Sequence, residues 1–177
     1  MKPFEFIKAA STEEAVAALA EHGPGIRILA GGTDLLVDLK HAGQSPGVVM
    51  DVSGIDDLGA ISVDDDGLHI GAGATHTAIM TDPLIAEHAP AMIDAAHTVG
   101  AVQTRNLGTI GGNLVTCVPS MDSGPVLVAL EADVILAGAS GIRRLALTEF
   151  FVGPRKTILA ASAMTASETG WPSSAAS

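Results

Sequence analysis

A chain of 177 residues is long enough for one domain or for two small lobes that share a core. Apolar residues make up 47% and charged residues 16%, a globular composition; with 3% aromatics and no tyrosine, the interior must be built largely from Ala, Val, Ile and Leu. A formal charge of −11 argues against nucleic acid and anionic membrane surfaces as partners, and the single cysteine, Cys117, excludes an intrachain disulfide and a Cys-based metal site.

Residues 1–11 lack the apolar core of a signal peptide, and no stretch reaches the length of a membrane span, so a cytoplasmic protein is expected. Phe4 and Phe6 alternate with polar partners as in a short strand. Ser11 to Glu14 reads as a capping box, followed by a helix with Val16, Leu19 and Ala20 on one stripe and a stop at Gly23-Pro24. A strand over 26–30 leads into the glycine pair Gly31-Gly32. Thr33-Asp34 then reads as the cap of a short helix over 35–40, and 48–52 is another strand. Ile61, Val63, Leu68 and Ile70 alternate around Asp64-Asp65-Asp66-Gly67, which predicts a hairpin with a solvated acidic turn and no calcium-loop pattern. A third glycine-containing loop, 71–77, opens a helix that Pro83 breaks. Pro90 suits the first turn of the next helix, with Met92, Ile93, Ala96 and Val99 on one face. A helix is expected from Asp122 or Ser123 to Leu130, then a hairpin around residues 138–141, and an apolar turn at Phe150-Phe151. From about residue 161 the chain is rich in Ser, Ala and Thr without periodicity and reads as a flexible tail.

Chemistry is concentrated in residues 104–122, TRNLGTIGGNLVTCVPSMD, and in 28–36, ILAGGTDLL. Glycine lets backbone N–H groups approach a ligand, and successive N–H groups in such a turn form an anion-binding concavity. Neither stretch matches GxGxxG or GxxxxGK[ST], and a bare Gly-Gly also serves as a tight turn. Asp122 suits a ligand acceptor or a helix N-cap, and Arg105 suits a diphosphate or a surface acid. Cys117 reads as a small hydrophobe, and His76 and His41 as solvent-exposed loop residues. Phe150 and Phe151 are either core or a cover over a ligand.

Together, AGGTDLL at 30–36, RNLGTIGGNL at 105–114, Asp122 at its spacing after Asn113, and FFVGPRKT at 150–157 resemble the flavin-binding medium subunit of the molybdenum hydroxylases. That group includes aerobic carbon monoxide dehydrogenases and xanthine dehydrogenases, and the resemblance runs from residue 1 to about 160. It implies an α+β fold in which two lobes, a βαββ-like 1–54 and 55–160, clasp an extended FAD, with 161–177 a tail and the family's C-terminal lobe missing. By resemblance, Ile28, Leu29, Ala30, Gly31, Gly32, Thr33, Asp34 and Leu35 form one wall and diphosphate cradle. Thr109, Gly111, Gly112 and Asn113 form the second cradle, Val99 is a cofactor contact, and Asp122 accepts from the ribose or adenine end. The family's chemistry implies no catalytic side chain and no metal on this chain, because the flavin carries the electrons. Implied partners are an iron–sulfur small subunit and a molybdopterin large subunit, from which electrons pass through FAD to an external acceptor. Two other readings are a truncated, non-catalytic fragment that binds only partner subunits and a standalone FAD-dependent oxidase.

Overall fold

A computed structural model of the chain describes residues 3–41, 45–159 and 163–170. The first layer is a parallel sheet built by alternating strands and helices: β1 (Glu5–Lys8), α1 (Thr12–His22), β2 (Ile26–Leu29), α2 (Leu35–His41) and β3 (Val48–Asp51), with strand order β1-β3-β2. The βαββ-like arrangement is therefore corrected to βαβαβ. A helix stands between each pair of consecutive strands, so all three run the same way and the last enters the middle. The expected capping box starts α1: the Glu14 N–H donates to Ser11 Oγ at 3.2 Å, and the Ala10 N–H donates to Glu14 Oε2 at 2.9 Å.

Next come α3 (Asp56–Gly59) and the hairpin of β4 (Ile61–Asp64) and β5 (Gly67–Gly71). Its acidic turn is held internally. Asp64 Oδ1 accepts from the Asp66 N–H at 2.8 Å and faces His69 Nε2 at 2.8 Å. Helices α4 (His76–Thr81), α5 (Pro83–His88) and α6 (Ala91–Thr98) follow. The break at Pro83 is an N-cap, where Asp82 accepts from the N–H groups of Leu84 and Ile85.

The stretch expected to be a glycine loop is instead mostly helical, as α7 (Val102–Leu107) and α8 (Ile110–Thr116) joined by Gly108-Thr109. Then come α9 (Ser123–Ala129), the hairpin of β6 (Asp133–Gly138) and β7 (Gly141–Ala146), α10 (Leu147–Phe150), and the small hairpin of β8 (Phe151–Gly153) and β9 (Lys156–Thr157).

The last described strand overturns the expected tail. Residues 163–170 form β10 (Ala163–Gly170), the central strand of the order β4-β5-β10-β6-β7, antiparallel to both neighbours. The rest of that tail, 161–162 and 171–177, lies outside the described residues. Small and hydroxyl side chains carry no period here because pairing on both sides, rather than local pattern, decides the strand. A register shift between Thr165 and Ser167 also breaks its alternation.

Two apolar clusters result. One gathers Leu68, Ile79, Met92, Ile110, Leu114, Leu127, Val134 and Phe150 between the five-stranded sheet and its helices. The other lies under the parallel sheet, with Ala15, Leu19, Ile26, Met50 and Val52, and takes in Ala137 from β6 and Met164 from β10. Phe150 is fully buried in the first cluster and meets Phe151 edge to face at 5.5 Å, so both are core, not a cover over a ligand. Among the described residues, no helix is long and apolar enough to cross a membrane.

Candidate functional site

Gly31 and the turn after α7 touch. A Cβ built on Gly31 falls 1.8 Å from the Leu107 carbonyl oxygen and 2.9 Å from Gly108 Cα. This glycine is thus required by one backbone lying directly on another, with no strained dihedral involved. The two stretches, more than seventy residues apart in sequence, border one cleft of about 730 Å³, within the range of small-molecule and cofactor sites.

The structure places every residue of the expected set on the cleft wall except Leu29 and Asp122. Leu29 points instead at Gly32, with Cδ1 2.9 Å from where a Cβ would stand. Asp122 is exposed at the N-cap position of α9 and makes no side-chain capping bond, so its carboxylate does not satisfy the helix.

The two cradles differ in what their backbones can offer. In the first, the N–H groups of Gly31, Gly32 and Thr33 have no protein acceptor among the described residues. Thr33 Oγ1 lies within weak reach, 3.5 Å, of Asp34 Oδ2. In the second, the N–H groups of residues 110–113 are already used, and only that of Thr109 has no protein acceptor among the described residues. Ile110 donates to the Ala74 oxygen, Gly111 to the Ala72 oxygen at 2.9 Å, Gly112 to Thr109 Oγ1 at 3.1 Å and Asn113 to the Thr109 oxygen. The expected concavity of free N–H groups at 109–113 is therefore corrected to the single N–H of Thr109: residues 110–113 begin a helix whose first turn is capped by the Thr109 hydroxyl. Their contribution to the cleft is close packing and side chains. Gly111 is pressed against Ala72 and Thr165, where a Cβ would meet Ala72 Cβ at 2.7 Å and Thr165 Oγ1 at 2.9 Å. Asn113 Oδ1 accepts from the buried Ser123 hydroxyl, which leaves its amide NH₂ to donate elsewhere.

Among the described residues Arg105 pairs with no surface acid. Its Nη1 donates to the carbonyls of His97, Val99 and Gly100 at 3.1, 3.1 and 3.0 Å and closes the end of α6. Cys117 is buried at a left-handed φ of 49°, with Sγ 3.4 Å from the Gly153 oxygen. Among the described residues, no three His, Cys, Asp or Glu side chains gather as a metal site requires.

His76 was expected in solvent and is instead 2% exposed, at the head of α4 on the cleft wall, with Nδ1 buried and unpartnered. No local signal in residues 71–77 marks this burial, which comes from α6 and α7 packing against α4. Burial lowers the His76 pKa from 6.5; the Asp122 charge opposes the shift and the Arg105 charge adds to it. The unfolded chain takes up this proton at its ordinary value and the folded chain only below it. The neutral ring's contribution is therefore complete above that value and is lost as pH falls toward the folded value. His76→Leu should accordingly lose less Tm than the parent protein between about pH 7 and 5, where an ordinary histidine titrates. Thermal melts across that range check this; parallel curves for the two proteins would refute it.

The geometry agrees with what similarity to known proteins shows. Residues 2–167 match the family described as FAD binding domain in molybdopterin dehydrogenase. The chain is 40% identical over 154 residues to the nicotinate dehydrogenase FAD-subunit of Eubacterium barkeri, covering 86% of this chain and 52% of that one. It is 36% identical to the glyceraldehyde dehydrogenase medium chain of Sulfolobus acidocaldarius, covering 87% and 54%. Among solved structures, carbon monoxide dehydrogenase from Hydrogenophaga pseudoflava superposes with a TM-score of 0.91 at 31% identity, over 96% of this chain and 60% of that one. Quinoline 2-oxidoreductase from Pseudomonas putida 86 gives 0.92 at 30%, over 98% and 61%. The chain spans about half the length of the curated relatives it matches. With the glycine stretches joined at one cleft and the match reaching into β10, the chain belongs to the FAD-binding domain family of the molybdopterin dehydrogenases.

Proposed function

We propose that this chain holds FAD between residues 1–54 and 55–160 as the flavin-binding part of a molybdenum-hydroxylase-type dehydrogenase. When bound, FAD takes up and passes on electrons; the chain's own residues bind it, orient it and limit water. The observation that carries the reading is the contact of Gly31 with the Leu107 carbonyl, which brings the free N–H groups of Gly31, Gly32 and Thr33 to the cleft between the two glycine stretches. Such N–H groups suit the anionic diphosphate of a dinucleotide. Thr109, Gly111, Gly112, Asn113 and Val99 also line this cleft, which supports their part in the same site. Asp122 is proposed to reach the ribose from its exposed position at the head of α9. In this proposal electrons would arrive from an iron–sulfur subunit beside a molybdopterin subunit and leave to an external acceptor; relatives named as an FAD-subunit and a medium chain support a multi-subunit assembly.

Titration of the purified protein with FAD tests this. Quenching of flavin fluorescence and a rise in Tm that grows with FAD concentration are expected. Competition by ADP would assign the grip to the diphosphate half. Co-purification of the chain with iron–sulfur and molybdopterin subunits in the absence of any flavin response would favour the fragment that only binds partners.

A further inference from the structure

We propose that Arg155 is the counter-charge for the flavin ring in the cleft, so that this side chain holds the reduced, negatively charged ring more tightly than the oxidised one. The inference rests on the reading that the cleft takes FAD, and it adds a role for one side chain that the glycine stretches do not supply.

Two arginines line the cleft, Arg27 and Arg155. Arg27 Nη1 donates to the carbonyls of Pro24 and Ile26 at 3.1 and 3.0 Å. Arg105 is committed to the end of α6. Arg155 also lines the cleft, and among the described residues its guanidinium makes no hydrogen bond or ion pair. Asp34 and Asp38 are the carboxylates on the wall, and neither is paired with it.

The position of Arg155 is built, not incidental. It sits in the turn between β8 and β9 at a φ of 54°, a left-handed conformation unfavourable for a side-chain-bearing residue. The turn is fastened to the end of α8: the Arg155 N–H donates to the Cys117 oxygen at 2.8 Å, and Cys117 Sγ reaches back to the Gly153 oxygen at 3.4 Å. Tertiary contacts over-determine a strained residue here, as they do at ligand clamps.

Place along the cleft then selects the group it meets. The free N–H groups of Gly31, Gly32 and Thr33 lie beside Leu107 and Gly108, just ahead of α8. Arg155 is pinned at the other end of that helix, about 9 Å further along at 1.5 Å per residue. A diphosphate held at the first stretch leaves Arg155 beside an arm of the dinucleotide, with Val115 and Leu159 as neighbouring apolar wall. The adenine base is neutral. The flavin ring gains a negative charge when it takes up two electrons and one proton, and a fixed cation favours that form.

The test compares the parent protein with R155K, R155Q and R155G. Glycine accepts the positive φ, so R155G removes the charge without straining the turn. Oxidised FAD and ADP affinities are measured by titration. The potential of bound FAD is measured by reduction with dithionite against a reference dye. In R155Q and R155G the preference for reduced over oxidised FAD should fall about tenfold, which is about 30 mV for a two-electron couple. R155K should retain most of the preference, and ADP affinity should stay within about twofold, well under the 1.4 kcal/mol of a tenfold change. Unchanged potentials in both uncharged variants would overturn the proposal. A tenfold loss of ADP affinity would also overturn it, since that assigns Arg155 to a phosphate. Failure of the parent protein itself to bind FAD would instead overturn the cleft reading, and this proposal with it.

Discussion

Gly31→Ala is expected to abolish FAD binding and to destabilise the protein by about 3 kcal/mol, the upper part of the range for overpacking a tight interior. The added methyl has nowhere to go. Its carbon would stand 1.8 Å from the Leu107 carbonyl oxygen and 2.5 Å from the carbonyl carbon, both backbone atoms that cannot rotate aside. Leu107 ends α7, and Gly108 next to it donates to the Thr104 oxygen, so the turn can retreat only by moving a helix. Separation of the two stretches would also displace the free N–H groups of residues 31–33 from the wall formed by Thr109 and Gly111. Binding should therefore fail even in protein that remains folded. Gly25→Ala is the control, because a Cβ there meets nothing within 4 Å. Urea unfolding and FAD titration of both variants check the prediction; normal flavin binding by Gly31→Ala would contradict the joined-cleft geometry.

Phe150→Ala should cost about 3–5 kcal/mol, the range for removing a buried aromatic ring. In a chain with so few aromatics, Phe150 is among the largest fully buried side chains, and it fills the cluster between the five-stranded sheet and α9. The same cluster includes Ala74, Ala96 and Ala132, whose short side chains cannot fill the space. Phe151 would also lose its edge-to-face partner at 5.5 Å. Because Phe150 does not line the cleft, the folded fraction should keep the parent's FAD affinity. A midpoint shift in denaturant without a change in slope is the signature to look for. Weakened affinity in fully folded protein would put Phe150 at the cofactor after all.

What could be read from the residues followed the reach of the forces involved. Ser11 and Glu14 set the start of α1 because capping acts within one turn. The hairpins at 61–71 and 133–146 came from alternation and turn residues, which are also local. The meeting of the glycine stretches came only from family resemblance, since nothing in AGGTDLL states that Leu107 will lie on Gly31. His76 went wrong because burial of the residue after Thr75 depends on α6 and α7 packing over α4. The helix at 110–116 was hidden because Gly111 and Gly112 disfavour a helix interior on propensity. A Thr109 cap and close packing on Ala72 outweigh that preference. Strand β10 escaped for the converse reason: its sequence is nearly neutral, and its partners on both sides impose the conformation.

That central strand has a bearing on how the polypeptide acquires its shape during synthesis. β5 and β6 bracket a gap that is filled by residues emerging about a hundred positions after the first of them and about thirty after the second. Until then, each offers an unpaired row of amides and carbonyls to any other chain nearby, and Met164 is missing from the interior beneath the parallel sheet. Nascent protein would therefore be most open to chaperone capture, or to mispairing with a neighbour, in the interval between the emergence of β6 and that of β10.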